Sequence, residues 1–94
     1  MNREIKRSGQ FKKDYKRIRH DDALVSDLTD VIGLLAADLP LPEKFCDHDL
    51  LGIWEGCRDC HVRPDVVLIY EKYEDVVRIL KLLRIGSHPE LFRK

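Results

Sequence analysis

Hydrophobic spacing changes once along this chain, at Pro40-Leu41-Pro42. Before the prolines apolar residues recur at helical intervals; after them they gather into short β-branched runs. Phe11, Tyr15 and Ile18 fall at i, i+4 and i+7, one stripe of a helix that Ser8 caps and that runs to about His20. Asp21 and Asp22 supply a second cap, with negative charge at the helix N-terminus. Leu24, Val25, Leu28, Val31, Ile32, Leu35 and Leu39 keep the helical period until the prolines stop it. Beyond the break, Val66-Val67-Leu68-Ile69-Tyr70, opened by Pro64-Asp65, reads as a central strand. Tyr73-Glu74-Asp75 predicts a turn into a second apolar run, Val76 to Ile85, which completes a hairpin closed by Gly86-Ser87. Asn2 to Arg7, anchored by Ile5, reads as a short first strand, while Trp54 to Val62 is mixed. The order strand, helix, helix, then three or four strands predicts an α+β fold, with two N-terminal helices packed on one small antiparallel sheet.

With 94 residues the chain builds one modest core, so residues 1–94 are expected to form a single domain. It is 44% hydrophobic, enough to offset the ordering entropy, which excludes a disordered chain. No run of eighteen apolar residues is present, and Met1 to Arg7 lacks the apolar stretch of a secretory signal. A cytoplasmic protein with no membrane partner is expected. Basic and acidic residues number 17 each, yet they are unevenly placed. Residues 1–20 carry eight basic side chains against Glu4 and Asp14, whereas residues 21–60 carry ten acidic ones against Lys44 and Arg58. Lys12, Lys13, Lys16 and Arg17 sit off the Phe11-Tyr15-Ile18 stripe, so the first helix presents a basic face suited to a polyanion.

Histidines and cysteines carry the candidate chemistry. His48, His61 and His88 fall outside the two predicted helices, in loops or at strand ends where catalytic side chains are commonly mounted. Asp65 follows His61 across a proline, and Arg84 ends the last strand just ahead of His88. Convergence of these groups at one end of the sheet suits cleavage of RNA without a metal. That reaction needs a base for the 2′-OH, an acid for the leaving 5′-oxygen and a cation for the phosphate, and imidazole and guanidinium supply all three. Cys57-Arg58-Asp59-Cys60-His61 is a literal C-x-x-C-H, the attachment signature of c-type haem. Against haem stand the missing export signal and a single methionine, Met1. Cys46, His48, Cys57, Cys60, His61 and His88 contain enough ligands for a tetrahedral zinc site, though without a second C-x-x-C. Three cysteines and no export signal most simply mean reduced thiols.

The residues also resemble a known family, the RelE-type mRNA interferase toxins of bacterial toxin–antitoxin pairs, in its YafQ-like branch. The resemblance is carried by Ser8-Gly9-Gln10-Phe11 with Lys13-Asp14, Leu39-Pro40-Leu41-Pro42, Asp47-His48 with Leu50 and Gly52, and Trp54-Glu55-Gly56-Cys57-Arg58-Asp59 with His61-Val62. It continues through Pro64-Asp65, Leu68-Ile69-Tyr70, and Arg84-Ile85-Gly86-Ser87-His88 to Leu91-Phe92. It implies a RelE-like ribonuclease fold and a ribosome-dependent endoribonuclease that cuts messenger RNA, is silenced by a cognate antitoxin and meets operator DNA only through it. The YafQ-like active site falls on His48, His61, Asp65, Arg84, His88 and Phe92, the last as a stacking surface for a base. No cofactor is implied, and Cys57 and Cys60 stand where YafQ-like chains carry other side chains. Val66 replaces the aromatic residue that can follow Pro-Asp in that branch. On this reading His61, oriented by Asp65, acts at the 2′-OH, His88 is the acid and His48 assists. Lys12, Lys13, Lys16 and Arg17 dock on ribosomal RNA. Two other readings stay open: a catalytically silent module of the same fold acting as co-repressor, and a small zinc-binding module.

Overall fold

Side chains at the expected positions start each long helix. In the computed structural model, which describes residues 2–92, Ser8 Oγ accepts from Phe11 N at 2.9 Å and opens α1, Gly9–Ile18. Asp21 accepts from Leu24 N at 3.1 Å and opens α2, Asp22–Ala36. The same Ser8 hydroxyl donates to Leu83 O at 2.7 Å, so the cap also fastens α1 to the sheet. α2 ends before the prolines, because Asp38 takes a left-handed conformation (φ 58°) that an L-residue adopts only in a turn. Leu39, expected on the apolar stripe, therefore lies beyond the helix and is exposed.

The strands are β1 (Glu4–Arg7), β2 (His48–Asp49), β3 (Arg58–Arg63), β4 (Val66–Glu74) and β5 (Arg78–Gly86), and a short helix α3 (His88–Leu91) follows. They form one sheet in the order β1-β5-β4-β3-β2. The sheet is mostly antiparallel, but β1 pairs parallel with β5 from Glu4↔Ile79 to Arg7↔Leu82, which corrects the expectation of a wholly antiparallel sheet. The hairpin turn sits later than expected: β4 continues to Glu74, and Asp75, Val76 and Val77 make the connection. Val76 is almost fully exposed there, so its apolar character reports nothing about burial.

The sheet separates two apolar clusters. On one face Cys60, Val62, Leu68, Tyr70, Leu80, Leu82 and Ile85 pack against Phe11 of α1 and Leu24, Leu28, Val31 and Leu35 of α2. Each fully buried Leu or Phe here contributes about 1.5–3 kcal/mol of hydrophobic free energy. On the other face Val67 and Ile69 are covered by Leu91 and Phe92 of the C-terminal segment and by Leu50 and Trp54 of the β2–β3 connection. Polar residues alternate with the first cluster along β3 and β5, so they emerge on this second face.

Candidate active site

Strand register builds the site. Residues directly paired across a sheet share a face, as do residues two apart on one strand. His48 pairs with Asp59, Asp59 with Ile69, and Ile69 with Arg84, which makes one row across β2, β3, β4 and β5. Two residues further along, His61 pairs with Val67 and Val67 with Gly86, a second row that leads into Ser87 and His88. A register shift between Ile69 and Tyr70 inserts Leu83 as an extra residue in β5, and this bulge brings Arg84 into the first row. His48, His61, Arg84 and His88 are thus brought to one face, and the structure adds Asp59 at their centre.

Asp59 is the buried carboxylate of this face, 1% exposed. His48 Nε2 lies 3.1 Å from its Oδ1, but off the line of a hydrogen bond, so that oxygen has no donor among the described residues. His48 Nδ1 lies 2.7 Å from Cys46 O; a carbonyl only accepts, so Nδ1 carries the proton. Nε2 therefore faces the Asp59 carboxylate, a contact that is attractive when the pair shares a proton. Burial pushes the Asp59 carboxyl above its ordinary range, more than the positive charges on His48, His61 and His88 pull it back. His48 is the imidazole in contact with this desolvated acid, a pairing suited to holding a proton.

Ser87 caps α3 with a capping box: its Oγ and N bond to Glu90, and it accepts from Glu90 N. His88 is the first residue of this helix, so its ring is exposed at the mouth of the site, with the Phe92 ring tilted against it at 4.5 Å. Sequence reading expected no helix here, although Ser87-His88-Pro89-Glu90 carries the S-x-x-E pattern with proline that announces one. Arg84 is held from behind. Its Nε and Nη2 donate to the two oxygens of Asp14 at 3.0 and 2.9 Å, which leaves Nη1 without a hydrogen-bond partner among the described residues and able to meet an anion. Although burial works against ionisation of Asp14, hydrogen bonds from Arg84, Gln10 and Ile85 N hold its carboxyl below the usual range.

Other predicted residues lie apart from this centre. Asp65 is exposed in the tight Pro64-Asp65 turn between β3 and β4, and among the described residues it makes no hydrogen bond or ion pair with His61. The carboxylate that shares a face with His61 is Asp59, two residues back on the same strand. Lys12, Lys13, Lys16 and Arg17 are exposed on α1 as expected, and Arg17 reaches Glu90 of α3 at 3.2 Å. His61 also borders a cavity of about 400 Å³ between α2 and the edge of β3, lined by Asp27, Asp30 and Phe45.

The C-x-x-C-H motif does not converge. Strand alternation sends Cys60 into the core beneath the helices, where burial pushes its thiol up to about 12, and His61 to the opposite face. Cys57 packs on the second cluster and Cys46 is exposed. Among the described residues no three His, Cys, Asp or Glu side chains gather as a metal-ligand group, so the donor set does not fit a resident zinc.

Comparison with known proteins agrees with this architecture. The model of the family described as the bacterial toxin of type II toxin–antitoxin systems, YafQ, matches residues 3–93. The mRNA interferase toxin YafQ of Escherichia coli K12 is 41% identical over 98% of each chain. The crystal structure of the E. coli DinJ–YafQ complex contains a chain that is 42% identical, with a TM-score of 0.82 over 96% of this chain and 98% of that one. A metal-bound toxin from Helicobacter pylori is 38% identical, with a TM-score of 0.87 over 98% of this chain and 100% of that one. With its fold matched over nearly the full length, the chain belongs to the YafQ family of bacterial type II toxin–antitoxin toxins.

Proposed function

We propose that this toxin is an mRNA interferase, a ribosome-dependent endoribonuclease that acts without a metal. The observation that carries the reading is the row that sets His48 3.1 Å from the buried Asp59 carboxylate, with His61 on the same face two residues along β3 and His88 following the end of β5. The E. coli relative's name, mRNA interferase toxin, supports it. His61 takes the 2′-OH proton, which lets that oxygen attack the adjacent phosphorus. His88 gives a proton to the departing 5′-oxygen, so a 2′,3′-cyclic phosphate and a 5′-hydroxyl form. The free Nη1 edge of Arg84 stabilises charge on the phosphoryl oxygens in between. His48, paired with Asp59, assists as proton reservoir, and Phe92 offers a base its ring face. Asp65, exposed in the β3–β4 turn, is left without a role in this scheme, and the carboxylate that shares a face with His61 is Asp59.

Antitoxin binding is proposed from the E. coli DinJ–YafQ complex, with operator DNA met only through that partner. Cytoplasmic action follows from the ribosome as site of reaction; no helix among the described residues is long and apolar enough to cross a membrane. Docking on ribosomal RNA is assigned to Lys12, Lys13, Lys16 and Arg17.

The test is cleavage of a defined message on purified ribosomes, with end analysis of the fragments. Fragments ending in 2′,3′-cyclic phosphate, formed equally with a chelator that spares the ribosome, are expected. Loss of cleavage on chelation overturns the metal-free reading. A Lys12/Lys13/Lys16→Ala variant should stay folded yet bind ribosomes more weakly, with its salt dependence flattened by roughly 0.7–0.9 in log–log slope per lost phosphate contact. Unchanged binding across salt concentrations would remove the helix from the docking surface.

A further inference from the structure

A single guanidinium grips the residues on either side of His48. Alternation along β2 turns His48 toward Asp59 and turns Asp47 and Asp49 toward the helix side of the sheet. Arg58 stands on that side, paired with Asp49 in β2 and with Tyr70 in β4. Its Nη1 donates to Asp49 Oδ1 at 2.5 Å, its Nε donates to Asp47 Oδ1 at 3.3 Å, and its Nη2 lies 3.3 Å from Asp47 Oδ2. Asp47 also accepts from the hydroxyl of Tyr70, a residue buried in the core beneath the helices. The chain needs such a grip here. β2 is two residues long, both exposed, with only two register pairs to β3. Just before it, Cys46 is held in the left-handed conformation (φ 50°, ψ 42°) that places its carbonyl on His48 Nδ1.

We propose that Arg58 is a positioning residue for the reaction: by clamping Asp47 and Asp49 it holds β2 so that His48 faces Asp59 instead of turning into solvent. The inference rests on the reading of this face as the cleavage site. Arg58 itself points away from that face, so it serves the chemistry only through His48. The flanking acids provide the handle, and a lysine, with one point charge in place of a fork, would hold one carboxylate and release the other.

A double-mutant cycle tests this with the full-length toxin on ribosomes, comparing wild type, Arg58→Gln, His48→Gln and the double variant. Arg58→Gln should lower kcat about tenfold with KM changed less than about twofold, the signature of a lost contribution to the chemical step. In the His48→Gln background the same change should lower kcat by less than about twofold, because the residue being positioned is already gone. Equal losses in both backgrounds overturn the proposal, since they mean that Arg58 merely holds the fold. A raised KM at unchanged kcat also overturns it, by making Arg58 a contact to RNA. Should Arg58→Gln fail to fold, Asp49→Asn, at an exposed position, removes one arm of the clamp and is expected to lower kcat about threefold, again only when His48 is present.

An NMR measurement decides the point independently of activity. The Nδ1–H resonance of His48, assigned by its absence from His48→Gln, should be resolved in wild type and lost to exchange in the Arg58 or Asp49 variant. Persistence of that signal overturns the clamp. A wild-type toxin without cleavage would instead overturn the proposed function, while the resonance still decides whether Arg58 holds His48 in place.

Discussion

Two buried aspartates meet opposite fates in this molecule. Asp14, in the seam between α1 and β5, is 3% exposed and accepts from Arg84, Gln10 and Ile85 N, hydrogen bonds that outweigh the burial opposing its negative charge. Asp59, on the histidine face, is 1% exposed, and one of its oxygens has no donor at all among the described residues. The first is framework, and its partners would be stranded without it. The second is held in an environment that disfavours its charge, which is what makes its proton available near the histidines. Burial alone therefore does not tell a structural acid from a functional one; the count of donors does.

Three perturbations probe that division. The largest effect is expected from His88→Ala. Loss of a general acid lowers the rate by about 10²–10⁴, whereas the Ser87–Glu90 capping box of α3 does not use the imidazole, so thermal stability should hardly move. Cleavage within a few-fold of wild type would exclude His88 as the acid. Second, Asp14→Ala should destabilise the fold by about 3 kcal/mol, since it strands Arg84 and the buried Ile85 N–H. The folded-state pKa of Asp14 lies below the ordinary aspartate value of 3.8, so its contribution is fully present above that value and lost as pH falls through the lower folded one. Acid unfolding of wild type should accordingly be steeper below pH 4 than that of the variant, as followed by circular dichroism.

The third effect is smaller and opposite in sign. The folded pKa of Asp59 is raised above 3.8, so the ionised acid weakens the native state once pH rises through that folded value, and the penalty vanishes below the unfolded one. Asp59→Asn should melt a few degrees higher than wild type at pH 8, the scale of about 1 kcal/mol in a domain this size, and equally at pH 3.5. Cleavage should fall meanwhile. A variant less stable than wild type at pH 8 would make Asp59 a second framework acid and dissolve the comparison.

The same two residues mark where reading the sequence stops. α1, α2 and β4 were legible because their apolar periods and caps are local signals. Asp14 lies three residues after Phe11, on the stripe that faces the core, but its partner Arg84 is 70 residues away and nothing local announces it. Asp65 stands out in the sequence because it follows His61 across a proline; the alternation of Asp59 and His61 against Cys60 and Val62 marks both the strand β3 and a second carboxylate on its face. Arg84 reaches its row through a bulge that no periodicity predicts, and the parallel pairing of β1 depends on a strand at the other end of the chain. His48, His61, Arg84 and His88 stand out as candidates because histidine and arginine carry their chemistry in the residue type. Their common face is a matter of register.

The pairing of β1 with β5 has a temporal consequence. During synthesis the first strand and first helix emerge early, yet β1 pairs with β5, and Ser8 and Asp14 find their sheet partners there too. Contacts so distant along the chain delay closure. Arg84 meets Asp14, and His88 its place at the end of β5, only once the last strand has left the ribosome that makes it. With this topology the face that carries His48, His61 and Arg84 cannot be assembled from the N-terminal two-thirds of the chain alone, because its framework closes only with β5.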